Sequence, residues 1–337
     1  MPAISVWLPK PRRVELRHEA VPNVGPSDVR VAAIASAISH GTEMLVFRGQ
    51  VPDGLELDLP TLRGSFAFPI KYGYASVGRV VETGVKVRDL AIGDPVFVHH
   101  PHQSTYVVPA HMPIRLPDDM DPEVGVFLAN VETAINIVLD AAPRLGERVV
   151  VFGQGVVGLL ITQLLRRTGV SLIMVVDPIA RRRELACQLG ADVALAPEDV
   201  AAGNIHGLSD EHGVDLAIEA SGNVRALDQA LGSVAFGGTV VVCSWYGTKP
   251  VPLMLGGAFH RRRLRIVSSQ VSTIDSALQP RWTHGRRLAL ARELLPRLEL
   301  SKLISHRFPV QQAAEAFALV DQHPEQTVQV VLTYGQA

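Results

Sequence analysis

The chain has 337 residues, 47% hydrophobic and 19% charged, with 32 basic against 33 acidic side chains and a net charge of −1. That is apolar material for two ordinary domains with cores of their own and excludes a disordered chain. The balanced charge gives no reason to expect nucleic acid or an anionic membrane as partner.

Two cysteines, Cys187 and Cys243, permit one disulfide at most and no four-cysteine zinc site, which fits a reducing, cytoplasmic compartment. Each is expected to be a buried packing group. The N-terminal stretch carries no basic leader ahead of an apolar core, and no run of ~18 apolar residues occurs, so neither a signal peptide nor a membrane span is expected. Residues 1–120 read as β structure. Short apolar runs at Val29–Ile34, Ala75–Glu82 and Pro95–Val98 are separated by Pro, Gly and Asp turns, as in an antiparallel barrel or sandwich. The insert Gly49–Phe68, with Pro52, Pro60 and Phe66, is expected to wall part of a pocket.

From Pro122 the texture changes. Helical spacing covers 123–141, and strands then alternate with helices to about residue 270. Strands read at Val149–Phe152, Leu172–Val176, Val193–Leu195, Leu216–Glu219, Thr239–Cys243 and Leu264–Val267, and helices between them include Val156–Arg167 and Arg181–Leu189. Such alternation gives a parallel sheet covered by helices on both faces. Residues 271–337 offer helices near 286–298 and 310–321 and a strand near 328–333, expected to pack back onto the first part. The result is an α/β chain in three stretches, 1–120, 121–270 and 271–337.

The strongest motif is Gly153-Gln154-Gly155-Val156-Val157-Gly158. It directly follows an apolar strand and opens an apolar helix, and Asp177 ends the next strand about 20 residues further on, which together is the dinucleotide fingerprint. Gly153 permits the tight turn, Gly155 lets the backbone approach a pyrophosphate, and Gly158 lets the helix pack on the sheet. The helix N-terminus offers free N–H groups to the phosphates. The Asp177 carboxylate suits the ribose hydroxyls and repels a 2′-phosphate, which favours NAD over NADP; Arg181 and Arg182 nearby weaken that preference.

On these motifs the chain resembles the medium-chain dehydrogenase/reductase superfamily over nearly its whole length. Asp215-Leu-Ala-Ile-Glu-Ala-Ser221-Gly222 is similar to the family's strand and turn beneath the nicotinamide, which implies Ser221 as a cofactor contact. Phe236-Gly-Gly-Thr-Val-Val-Val resembles the next turn and strand. In the N-terminal part, His40-Gly-Thr42-Glu43, Gly73-Tyr74-Ala-Ser-Val-Gly78 and Gly93-Asp-Pro-Val96 align with family motifs. The resemblance implies a GroES-like β-barrel catalytic domain joined to a Rossmann doubly wound sheet, and a homodimer formed through the edge of that sheet. Ser39-His-Gly-Thr-Glu, Pro101-His-Gln-Ser104 and Ser268-Ser-Gln-Val271 resemble a branch that includes hydroxyethyl bacteriochlorophyllide a dehydrogenase and other alcohol dehydrogenases, mixed in substrate.

The departures bear on the metal. Where the family places Cys, His and Glu at its catalytic zinc, this chain has His40, Tyr74 and Ala75. The third-ligand region reads Leu128-Ala129-Asn130, and the structural zinc lobe is absent. Zinc needs three or four N, S or O donors, so His40 would need help from His99, His100, His102 or Glu132, and a zinc-free site is the expectation.

Without a Lewis acid, hydrogen-bond donors must stabilise the oxygen of a carbonyl substrate and deliver its proton. Thr42 keeps the family's relay hydroxyl. His40 can act as an acid, and Tyr74 carries an O–H donor. Each also has a plainer role: a cap or turn, a structural histidine, and an aromatic filling the vacated metal pocket. Glu43 is read as structural support. Trp282 beside Arg281 either lines a substrate entrance or packs. The small-molecule reaction expected is NAD-dependent interconversion of a secondary alcohol and a ketone. Reduction of an activated C=C bond and cofactor binding without turnover stay open.

Overall fold

The computed structural model describes residues 2–59, 61–201, 203–209 and 212–335. The chain divides into two compact units, Met1–Ala129 with Leu295–Ala337, and Asn130–Leu294.

The first unit opens with an antiparallel hairpin of β1 (Ala3–Lys10) and β2 (Arg13–Glu19), turned at Arg12 in the left-handed region (φ 59°). The long strand β3 (Asp28–Ile38) buries alternate residues as far as Ala35, the period-2 pattern of a half-covered strand, and is buried throughout from Ala35 to Ile38. It leads into the short helix α1 (Thr42–Phe47). The insert that follows is a small hairpin of β4 (Glu56–Leu59) and β5 (Leu62–Ser65); its Pro60 lies outside the described residues. Next come β6 (Ser76–Thr83), β7 (Pro95–Val98), β8 (Thr105–Pro109) and β9 (Ile114–Arg115). β3 pairs with both β6 and β8, and β7 joins β6 to β9, all antiparallel. Asp121 then accepts a hydrogen bond from the Glu123 N–H, and Pro122 sits at the first position, where its missing N–H costs nothing; both start α2 (Pro122–Gly125).

Helix α3 (Leu128–Ala141) follows after a break at Val126–Phe127, so the single helix expected over 123–141 is two. By length and composition alone Pro122–Ala141 could cross a membrane, yet 56% of that stretch is buried in the fold. The second unit then runs β10 (Arg148–Phe152), α4 (Val156–Leu165), β11 (Leu172–Val176), α5 (Ala180–Gln188), β12 (Val193–Leu195), two short helices α6 (Pro197–Ala201) and α7 (Asn204–Leu208), β13 (Val214–Glu219), α8 (Val224–Ser233), β14 (Val234–Val242), β15 (Arg265–Ser268) and α9 (His284–Leu294). All six strands are parallel in the order β12-β11-β10-β13-β14-β15, the doubly wound arrangement whose order reverses between β10 and β13. The apolar runs of the central strands β10, β11 and β13 are buried on both faces, which is why they read as unbroken hydrophobic segments, whereas the edge strand β15 is largely exposed.

The stretch 271–294 belongs to this unit rather than to the returning tail. Buried Arg287 of α9 pairs with Glu132 of α3 at 3.0 Å and donates to Asn136 at 2.5 Å, so α9 is tied to α3. Cys187 is exposed, not buried as expected: it stands one position beyond Ala186, the residue α5 turns inward.

The return to the first unit is made by β16 (Ile304–Pro309), α10 (Ala313–Gln322) and β17 (Gln329–Thr333). β17 lies between β16, to which it is parallel, and β3, to which it is antiparallel, so the last strand of the chain is interior to a seven-stranded sheet. α10 buries Ala313, Ala316, Phe317 and Val320, with Phe317 against Phe47 at 5.4 Å, while Arg12 and Arg48 both pair with its Asp321.

Candidate active site

In the second unit the switch point between β10 and β13 carries the glycine loop. Gly153 has φ +91°, and a Cβ there would lie 2.7 Å from the Ser221 backbone, so the turn needs glycine twice over. At Gly158 a Cβ would lie 1.9 Å from the Gly153 carbonyl oxygen. Gly155, the N-cap of α4, is different: a Cβ would meet nothing within 4 Å. The loop is thus tight beneath and open above, and Gly155, Val156 and Val157 present the start of α4 to that opening. Among the described residues nothing but the chain neighbours comes within 4 Å of that Cβ position, and the helix N-terminus beside it suits a phosphate.

Asp177 is 3% exposed. One carboxylate oxygen accepts the Gln154 N–H at 2.7 Å, the other the Ile179 N–H at 2.9 Å, and Arg182 comes within 4.0 Å. Each oxygen keeps a lone pair, enough for two ribose hydroxyls. Gln154 turns its side chain inward, donating to the Gly153 carbonyl at 3.1 Å and accepting from Thr162 at 3.1 Å, so it braces the loop from below. These residues fit a dinucleotide: Gly155 to Val157 at the phosphates, Asp177 at the adenosine ribose.

Glu219 escaped the sequence reading. Fully buried at the end of β13, it accepts from the Ser221 N–H (2.7 Å), the Ser221 hydroxyl (2.6 Å) and the Gly222 N–H (2.9 Å) with one oxygen, and from the Tyr246 hydroxyl (2.8 Å) with the other. It fixes the turn that touches Gly153. An acid closing an otherwise apolar strand was the available signal.

In the first unit the turn between β3 and α1 gathers the other candidates. The side chains of Ser39 and Thr42 neighbour the Tyr74 phenol. Burial pushes that phenol up to about 12, the Glu43 carboxylate pushes it the same way, and the two hydroxyls pull it back. His40 sits in the same turn, with its Nε2 buried. Tyr72 packs edge-on to Tyr74 at 6.5 Å, and Phe66 from the insert lies 5.7 Å from Tyr72, so the insert packs against the aromatic residues next to the site. Trp282, in the second unit, carries the Arg286 guanidinium over its ring at 4.2 Å.

The donors a zinc ion would need are otherwise engaged. Ala75 offers none, and Glu43 accepts from the Ser39 N–H (2.9 Å) and from His102 Nε2 (2.8 Å). His102 uses its other nitrogen on Ser36 at 2.7 Å. His100 bonds the Pro101 carbonyl and stacks on Tyr106 at 3.7 Å; burial lowers its pKa to about 3. His99 packs edge-on to Phe97, and Glu132 is held by Arg287. Among the described residues no three His, Cys, Asp or Glu side chains converge on a metal position. The residues present do not fit the family's catalytic zinc, and none of the four helpers considered for His40 supplies the missing ligands.

The family described as zinc-binding dehydrogenase matches residues 156–284. D-guloside 3-dehydrogenase of Escherichia coli K12 is 31% identical over 328 residues, covering 91% of this chain and 93% of the relative. An alcohol dehydrogenase of Escherichia coli CFT073 in complex with NADH superposes with a TM-score of 0.81 at 20% identity, covering 99% of this chain and 100% of the other. A protein of Sinorhizobium meliloti 1021 bound to NADP gives 0.78 at 22% identity, with 99% of both chains covered. The two superpositions speak for the fold. With the glycine loop, the doubly wound sheet and a full-length relative above 30% identity, the chain belongs to the medium-chain dehydrogenase/reductase superfamily of oxidoreductases.

Proposed function

We propose that this protein is an NAD-dependent oxidoreductase that interconverts a secondary alcohol and a ketone by hydride transfer without zinc. The observation that carries the reading is the glycine loop: filled below, open above Gly155, with the Asp177 carboxylate fixed beside it. One solved relative holds NADH and another NADP. Asp177 favours NAD, because its fixed negative charge opposes a 2′-phosphate.

When bound, the nicotinamide gives or takes the hydride. The chain supplies the proton and the polarity. The Tyr74 phenol, protonated at neutral pH, donates to a carbonyl oxygen and stabilises the charge that develops there. Thr42 and Ser39 neighbour that phenol and can pass it a proton. Atoms balance as ketone, hydride and proton giving the alcohol. The relative named for position 3 of a guloside makes glycosides and polyols the first substrate class to try. The homodimer expected through the sheet edge would form at β15 and is checked by solution mass.

The test is fluorescence titration with NADH and NADPH, followed by turnover on keto-glycosides, simple ketones and enones before and after chelation. Saturable NADH binding tighter than NADPH, with chelator-resistant ketone reduction, is expected. No affinity for either nucleotide would overturn the reading. Bound zinc whose removal abolishes turnover would remove the zinc-free part, and turnover on enones alone would replace the substrate class.

A further inference from the structure

Thr42 stands at the first position of a six-residue helix whose N-cap, Gly41, has no side chain to cap it. One helical turn of this kind does not hold itself in place. Met44, Leu45, Val46 and Phe47 pack it into the core, and its first turn is also reached by a buried chain of four polar side chains that the proposed chemistry does not use. Glu43, 1% exposed, accepts the Ser39 N–H with Oε1 and meets His102 Nε2 with Oε2. His102 is fully buried and its Nδ1 lies 2.7 Å from the Ser36 hydroxyl, which lies 2.8 Å from the Tyr334 hydroxyl. The Glu43 carboxylate accepts from His102 Nε2–H, and each remaining link pairs one donor with one acceptor.

Three remote segments meet here. Ser36 belongs to β3, His102 precedes β8, and Tyr334 follows β17. Burying an acid and an imidazole is costly unless every partner is in place, and a core needing only stability would use apolar groups of the same size. The chain ends on the turn that neighbours Tyr74: Glu43 follows Thr42 in sequence, and its Oε1 fixes the backbone of Ser39.

We propose that Glu43, His102, Ser36 and Tyr334 are positioning residues that hold the Ser39–Thr42 turn in place beside the Tyr74 phenol. The assignment rests on the reading of Tyr74 and Thr42 as the proton-handling pair, and its test has one arm that needs no turnover.

Tyr334→Phe deletes one hydroxyl and keeps the ring; His102→Gln keeps an amide in place of the imidazole. In the full chain labelled with 13Cζ-tyrosine, five tyrosines give five resonances, and Tyr74 is assigned by the loss of its signal in Tyr74→Phe. The Tyr74 resonance is expected to move in both variants. In parallel, kcat for ketone reduction should fall about 10-fold in Tyr334→Phe and up to about 100-fold in His102→Gln, since misplacements of about 1 Å cost that much. KM for NADH should stay within about twofold, because nucleotide contacts are untouched. A Tyr74 resonance at its wild-type position in folded Tyr334→Phe overturns the proposal, even if the variant melts earlier, since a brace for stability alone predicts that result. If His102→Gln does not fold, Tyr334→Phe decides. If wild type reduces no ketone, the functional reading fails and the resonance still decides the positioning role.

Discussion

Tyr74 occupies a family ligand position with a group to which the proposed function gives a different job. A phenol of ordinary value near 10 is pushed up to about 12 by burial, so it stays a donor through the neutral range and is lost only as pH rises through that value. Ketone reduction is therefore expected to carry no alkaline limb from Tyr74 between about pH 7 and pH 10. Tyr74→Phe should cut kcat by about 100-fold, and a pH–rate profile with a limb near neutrality that disappears in the variant would contradict this. His100 makes a second prediction, on stability. Burial of its ring, stacked on Tyr106, lowers its pKa from 6.5 to about 3. Between those values the unfolded chain binds the proton and the folded one does not, so stability falls as pH drops below 6.5, by about 2 kcal/mol at pH 5. In His100→Phe this part of the acid slope should vanish, as read from urea midpoints at pH 7 and pH 5. At this scale the sequence made Thr42 and Tyr74 visible through their motifs. It offered no sign of the buried chain from Tyr334 to Glu43, whose members lie 66 and 298 residues apart along the backbone at two of its links. His102 drew attention only as a metal ligand, because imidazole chemistry looks the same in sequence whether its partners are a zinc ion or a serine and a glutamate.

The glycine loop is the element on which sequence and structure agree most closely, for a physical reason. Gly153 and Gly158 each answer a local demand, and the strands around the loop are buried on both faces, so their apolar runs are unbroken and easy to read. The three positions nevertheless differ, which sequence alone cannot show. Gly158→Ala drives a Cβ to within 1.9 Å of the Gly153 carbonyl oxygen and should displace α4, lowering both melting temperature and nucleotide affinity. Gly155→Ala meets nothing in the folded protein and should leave the melting temperature within a few degrees. If phosphates lie over that residue, the same methyl collides with them, and NADH affinity should fall at least about 10-fold, the scale of 1.4 kcal/mol. A Gly155→Ala protein that melts and binds NADH like wild type would move the nucleotide elsewhere. The helix expected over 123–141 was harder to delimit. Its hydrophobic spacing runs through Val126 and Phe127, where the backbone leaves the helix, and burial of those two side chains satisfies the pattern on either geometry.

At the scale of the molecule, the first unit is built from both ends of the chain and the second from one continuous stretch, 130–294. Local periodicity reveals strands but not that β17 inserts between β16 and β3, a pairing separated by nearly the whole sequence. It also left 271–294 with the tail, because the ties that hold α9 in the second unit, among them the buried Arg287 reaching Glu132 and Asn136, are not local in sequence. The division has a thermodynamic consequence. The glycine loop, Asp177 and Glu219 all lie in the second unit, so a nucleotide there binds that unit's folded form and shifts its unfolding by mass action, about 2.7 kcal/mol at a ligand concentration 100 times Kd. The first unit, holding Tyr74 and the buried chain to Tyr334, contributes none of those residues. Calorimetry of the whole protein is therefore expected to show two transitions, one of which rises with NADH more than the other. Tyr334→Phe should lower the less responsive one and leave the more responsive one in place. A single transition that NADH raises as a whole would mean that the two units unfold together, and the nucleotide would then stabilise the Tyr74 site as well.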